Sequence, residues 1–174
     1  MYSREDIQLR ELRGSDAPIL LDWENNQENW RISDRSEAPS LSDLTSLIEL
    51  QENAEHTYDL DQYRFMIVAS KSGKPLGTVD FYEADWENDL AFIGILVADP
   101  KDRQKGAGLC ALELLLDKMY NELELQMACA RIFPDNLASI RLFEKAGFKK
   151  KLEEKHLSEP EAEYLEFVCE LENR

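Results

Sequence analysis

Twelve consecutive residues combine two glycines with three cations: Val97-Ala98-Asp99-Pro100-Lys101-Asp102-Arg103-Gln104-Lys105-Gly106-Ala107-Gly108. Glycine frees the backbone to turn and to present successive N–H groups in a concave nest. A helix beginning there adds the partial positive charge of its dipole. Lys101, Arg103 and Lys105 add full charges within five residues of an otherwise acidic chain. Together these are what a pyrophosphate requires. The spacing is neither G-x-x-x-x-G-K-[ST] nor G-x-G-x-x-G, so the nucleoside triphosphate and dinucleotide readings fall away. Taken alone, the stretch also reads as a plain tight turn.

The elements around it decide between these readings. Leu90 to Ala98 is a continuous apolar run, which predicts a central strand covered on both faces. Leu109 to Leu123 places Leu112, Leu115, Leu116, Met119 and Tyr120 on one side of a helix. The glycine turn therefore joins a central strand to a helix N-terminus. Met127 to Phe133 reads as a strand, so residues 90–133 form a βαβ unit with a parallel pair. Asn136 to Ala146 is a helix stopped by Gly147.

Earlier in the chain, Ile7 to Leu12 alternates as a half-buried strand. Ser15-Asp16 offers an N-cap before Pro18, and Ser40 caps a second helix. Between them, residues 26–39 are irregular, anchored by Trp30 and Ile32. Arg64 to Ser70 and Leu76 to Tyr82 form a hairpin about Lys71–Lys74. Phe148 to His156 and Tyr164 to Leu171 close as another hairpin around Pro160. The order β-α-α-β-β-β-α-β-α-β-β gives a mixed α/β (α+β) sandwich with a central sheet, read as one domain over residues 1–174.

Two segments carry a family resemblance. Arg103 to Gly108 has the pattern R-x-x-G-x-G after a strand, which resembles the acetyl-CoA motif of the GNAT N-acetyltransferase superfamily. Asn136-Leu-Ala-Ser139-Ile-Arg-Leu-Phe143-Glu-Lys-Ala-Gly147-Phe148 resembles that family's second signature. Within the family the chain is most similar to the branch of ribosomal-protein alanine (RimJ/RimL-type) and spermidine acetyltransferases. The resemblance implies a central, splayed mixed sheet with acetyl-CoA in the opening. Val97 and Ala98 would then bond the pantetheine arm. The N–H groups of Gln104, Lys105, Gly106, Ala107 and Gly108 would hold the pyrophosphate, assisted by Arg103. Asn136 would contact the pantetheine, with Ser139 near the sulfur and Phe143 beside it. The implied chemistry is direct attack of a neutral primary amine on the thioester. A strand N–H from about Leu96 or Val97 would polarise the carbonyl.

The sequence departs from the family at two points. Many relatives carry a Tyr that protonates the leaving thiolate; Phe143 stands there, and Ser139 is the candidate acid in its place. Many carry an acidic base within the central strand, yet residues 90–98 hold no ionisable group. Candidate bases are then Asp80, Glu83 and Asp85 from the preceding strand and beyond. Alternation puts Asp80 and Tyr82 on one face and Val79, Phe81 and Glu83 on the other, without saying which face is which. Tyr82, Asp85 and Trp30 are candidate acceptor contacts, Trp30 because the loop after the first helix shapes the acceptor site in similar proteins. The losses leave a second reading open: a non-catalytic CoA-binding or sensing module of the same fold.

Composition narrows the partners. The 174 residues carry 20 Lys+Arg against 36 Asp+Glu, a net charge of −16. Such a balance repels nucleic-acid phosphates and anionic membrane surfaces. Residues 1–100 balance at −13, residues 101–155 at +2 and residues 156–174 at −5. The acidic half favours a small cationic amine as acceptor, with an amino sugar or a protein N-terminus as other options. Three cysteines without C-x-x-C spacing predict free thiols and no metal, and His56 and His156 read as surface residues. No apolar run of membrane-spanning length or signal peptide is seen in the sequence, so a cytoplasmic protein is expected. A homodimer is expected by similarity alone.

Overall fold

Strand alternation and short connections set the sheet. The computed structural model describes residues 1–30, 39–151 and 164–172, without the side chains of Glu28 and Trp30. The strands are β1 (Ile7–Glu11), β2 (Tyr63–Ala69), β3 (Pro75–Asp85), β4 (Leu90–Val97), β5 (Met127–Ile132), β6 (Lys149–Lys150) and β7 (Leu165–Glu170). They form one sheet in the order β1-β2-β3-β4-β5-β7-β6. Only β4 and β5 pair in parallel; the other neighbours are antiparallel. The mixed central sheet is therefore as expected. The expected turn around Pro160, together with His156 and the anchor Ile32, lies outside the described residues.

The helices are α1 (Ala17–Asn25), α2 (Gln27–Trp30), α3 (Leu41–Asn53), α4 (Ala107–Asn121) and α5 (Leu137–Lys145). Ser40 caps α3 by accepting from Asp43 N–H, as its position predicts. Asp16 does not cap α1. Its carboxylate instead accepts from Arg10 at 2.9 and 3.0 Å and from Arg13 N–H at 2.8 Å, tying the end of β1 to the turn before the helix. The expected cap is thus replaced by an ion pair, because β1 brings Arg10 within reach.

Helix α4 covers one face of the sheet. Leu112, Leu115, Leu116 and Met119 are fully buried there against Phe65, Ile67, Val79 and Phe81. Each such side chain contributes roughly 1.5–3 kcal/mol by leaving water. The opposite face is covered differently. Leu20 of α1 and Leu44 and Ile48 of α3 pack on Met66 and Val68 of β2. Register carries that face onward as cross-strand rows: Arg64–Asp80–Gly94 and Met66–Thr78–Leu96. Over β4 the row ends at a cleft. Residues Gly94 to Val97 are half-exposed, which corrects the expectation of a strand covered on both faces. An apolar run marks a central strand equally well when one face awaits a ligand. None of the described helices is long and apolar enough to cross a membrane.

A glycine keeps β3 and β4 together at this point. A Cβ on Gly77 would lie 1.8 Å from Leu96 O. Gly77→Ala must therefore push the strands apart, and chemical denaturation should show a loss of roughly 1–3 kcal/mol. Asp16 gives a pH signature. Burial pushes its carboxyl up, but Arg10 and the Arg13 N–H outweigh burial and hold it below the ordinary value. A depressed carboxyl stabilises the fold above the unfolded pKa and loses that effect on acidification. The stability gap between wild type and Asp16→Asn should be full at pH 7 and close as the pH falls below about 4.

Candidate functional site

Strands β4 and β5 pair only through Leu90–Met127, Ala91–Ala128 and Phe92–Cys129. Both strands continue, to Val97 and to Ile132, but no longer against each other. The sheet parts there, and the edge of β4 that would have bonded β5 is left for another partner. The gap opens into a cleft of about 410 Å³, lined among others by Asp80, Tyr82, Gly94, Leu96, Asn136 and Ser139. Phe143 also lines it, 3% exposed, with its ring 4.9 Å from that of Phe148.

The glycine turn sits past the end of β4. Gln104 and Gly106 adopt positive φ, 58° and 94°. Gly106 begins α4 with no side-chain cap, so the first N–H groups of the helix meet no side-chain acceptor. Crowding and backbone conformation enforce the first glycine, and the second sits in a close contact. A Cβ on Gly106 would lie 2.8 Å from Tyr2 O, and one on Gly108 3.3 Å from the Leu142 side chain. Tyr2 N–H donates to Lys105 O at 2.6 Å, strapping the loop from behind. This cradle of backbone donors at a 15-residue helix N-terminus fits a pyrophosphate.

The loop's cations are not all directed at an anion. Arg103 donates through Nε to Val97 O at 2.9 Å, and through Nη2 to Ala98 O at 3.2 Å and Asn29 Oδ1 at 2.6 Å. The guanidinium, expected to assist a pyrophosphate, here braces the end of β4. Ala98 is occupied as well, because its N–H donates to Leu76 O at 2.9 Å. Its backbone is thus less suited to a pantetheine arm than that of Leu96, which borders the cleft. Lys105 lies 3.8 Å from Asp102, and Lys74 lies 2.7 Å from it. The hydrogen bond from Lys74 holds the Asp102 carboxyl below its usual range.

The carboxylates sort themselves by geometry. Asp80 is 8% exposed. Its Oδ2 accepts from Gln62 at 2.9 Å and from Arg64 at 3.2 and 3.3 Å. Its Oδ1 lies 2.5 Å from where a Cβ on Gly94 would be, so Gly94 makes room for the carboxylate to lean over β4. Arg64 also donates to Glu24 of α1 at 2.8 Å. Burial draws the Arg64 guanidinium down, but Asp80 and Glu24 outweigh it and keep it above its ordinary value.

Glu83 departs from alternation. A register shift between Tyr82 and Asp85, with φ of 49° at Glu83, returns its side chain to the cleft beside Asp80 and Tyr82. This corrects the predicted two-face division. Both Glu83 oxygens are held by Arg131 at 2.9 Å, and the guanidinium lies 3.9 Å from the Phe92 ring centroid. Asp85 does not line the cleft. It accepts from Glu87 N–H and from Asn88, capping its own turn, so its acceptor role is corrected to a turn residue. Asn136 caps α5 by accepting from Ser139 N–H at 3.1 Å, and both residues line the cleft. The Trp30 side chain lies outside the described residues. Sequence reasoning missed Glu24, Asn29, Gln62, Arg64 and Arg131. The available signals were Arg64 and Arg131, each a cation inside an apolar strand. Among the described residues, no three His, Cys, Asp or Glu side chains are grouped to hold a metal ion.

Comparison with known proteins agrees with this architecture. The family model described as "Acetyltransferase (GNAT) domain" matches residues 6–149. An N-acetyltransferase 9-like protein of Caenorhabditis briggsae is 28% identical over 152 residues, 84% of this chain and 66% of that protein. The probable N-acetyltransferase YjcK of Bacillus subtilis is 33% identical over 106 residues, 60% of this chain and 56% of that one. The chain thus spans less than two thirds of the length of these relatives. In fold it is similar to a Vibrio cholerae spermidine N-acetyltransferase solved with CoA and spermine. The TM-score there is 0.79 at 18% identity, covering 95% of this chain and 96% of that one. With that model covering most of its length, and the parted strands and glycine cradle in place, this chain belongs to the GNAT acetyltransferase family.

Proposed function

We propose that the chain is an acetyl-CoA-dependent N-acetyltransferase whose acceptor is a primary amine, a small cationic one by preference. The observation that carries the reading is the cleft where β4 leaves β5, lined by Asp80, Asn136 and Ser139, with the glycine turn following β4 in the chain. Bound acetyl-CoA would supply an activated acyl carbon. The N–H groups from Gln104 to Gly108 would hold its pyrophosphate, beside Lys105. The edge of β4 at Leu96 and Val97, with Asn136 opposite, would hold the pantetheine. An N–H of that strand would receive the charge developing on the carbonyl oxygen.

Asp80 is the group best placed to take a proton from the acceptor ammonium, directly or through a water. Arg64 and Gln62 fix Oδ2, which leaves Oδ1 toward β4. Glu83 is less suited, since both its oxygens are bound by Arg131. Ser139 would return a proton to the departing thiolate, where Phe143 has no hydroxyl to do so. Holding amine and thioester together would supply much of the acceleration. The cleft lining contains Glu24, Asp80 and Glu83 against Arg64 and Arg131, a formal excess of one negative charge. That excess favours a cation over an anionic acceptor. The CoA and spermine bound by the V. cholerae enzyme support the same class.

Release of free thiol from acetyl-CoA should follow addition of spermidine, an aminoglycoside or a peptide amine, and one class should dominate. Saturable acetyl-CoA binding with no turnover on any of them would move the reading to a sensing module. Asp80→Asn should lower kcat/KM by roughly a hundredfold, and Ser139→Ala should lower kcat by less. Gly106→Ala places a side chain at φ 94° and against Tyr2 O. Acetyl-CoA at 100 times its Kd should stabilise wild type by roughly 2.7 kcal/mol in thermal unfolding, and this variant by clearly less.

A further inference from the structure

Asn29 is 3% exposed, lines the cleft and belongs to neither the cradle nor the acid–base pair. Its side chain is fixed at both ends. Nδ2 donates to Trp23 O in the last turn of α1 at 2.8 Å. Oδ1 accepts from Arg103 Nη2 at 2.6 Å, across 74 residues of sequence. Arg103 in turn holds Val97 O and Ala98 O, and it directly precedes the positive-φ residue Gln104. On the other side, Glu24 adjoins Trp23 and pairs with Arg64, which holds Asp80. Hydrogen bonds therefore link Arg103, the neighbour of the glycine loop, through Asn29 to the Trp23 carbonyl of α1, and the next residue of that helix, Glu24, reaches Asp80 through Arg64.

We infer that Asn29 and Arg103 are positioning residues that couple the cofactor loop to the acceptor side of the cleft. An anion seated on the loop amides holds Arg103 in place, and Arg103 then holds the α1–α2 corner through Asn29. A filled cofactor site thereby orders the helices that carry Glu24 and flank the acceptor. By linkage the effect is reciprocal, so a bound acceptor tightens the cofactor loop. Such a bridge is a physical path between two sites, made of the buried Asn29, the half-buried Arg103 and a strand end. The inference rests on the CoA reading proposed above.

Amide hydrogen exchange with and without CoA tests it in wild type, Asn29→Ala and Asn29→Asp. The aspartate keeps an oxygen for Arg103; the alanine does not. CoA should slow exchange over residues 104–110 in all three proteins. Over residues 17–30 it should slow exchange roughly fivefold or more in wild type, by less in Asn29→Asp, which keeps the oxygen for Arg103 but loses the donor to Trp23 O, and leave Asn29→Ala unchanged. Each protein is compared with itself, so a general loosening of the alanine variant does not mimic the result. Protection of 17–30 that persists in Asn29→Ala overturns the coupling. So does protection of wild type confined to 104–110. No protection at 104–110 in wild type overturns the CoA reading and the coupling with it.

Discussion

The parting of β4 from β5 after three paired residues is the constraint on which the rest depends. Backbone N–H and C=O groups lose stability when they are buried unpaired, so a strand that leaves its neighbour must find another partner or face an opening. Here the opening is kept by packing on the far side of the sheet. Gly108 lets α4 approach so closely that a Cβ there would meet the side chains of Leu142, Val97 and Ile95. Phe143 and Phe148 fill the space beneath. The start of α4 and the body of α5 are thus fixed where they hold the strands apart. A ligand with its own amide groups could complete the ladder that β5 abandons.

Charge is arranged in closed sets around this opening. Asp102 collects Lys74 and Lys105 beneath the loop. Glu83 and Arg131 form a bidentate pair over Phe92. Glu24 and Asp80 share Arg64, which leaves one negative charge in excess among the described side chains of the cleft. The net charge of −16 therefore says little about the site itself. Within it, Oδ1 of Asp80 leans over a glycine of the neighbouring strand.

How legible each feature was depends on how far its cause lies along the chain. Ser40 was readable as a cap because it bonds an N–H three residues on. Gly106 was readable because a positive φ before a helix calls for glycine whatever packs around it. Glu83 was not, because strict alternation fails at a bulge that only the pairing of β3 with β4 reveals. The partners of Arg103 were not legible for a similar reason. A cation beside a glycine loop suits a phosphate, but its acceptors are strand carbonyls and an asparagine from a distant helix.

By itself, then, the sequence determined most of the order of elements, the parallel unit around the glycine turn, the Ser40 cap and the residues able to form an anion cradle. Those follow from backbone preferences and side-chain periodicity, which act over one to four neighbouring positions. The tertiary structure alone decided which carboxylates meet at the cleft, which cations are already paired and how the loop connects to α1. Such choices depend on cross-strand register and on side chains that meet across tens of residues, and no local pattern encodes the distance between them.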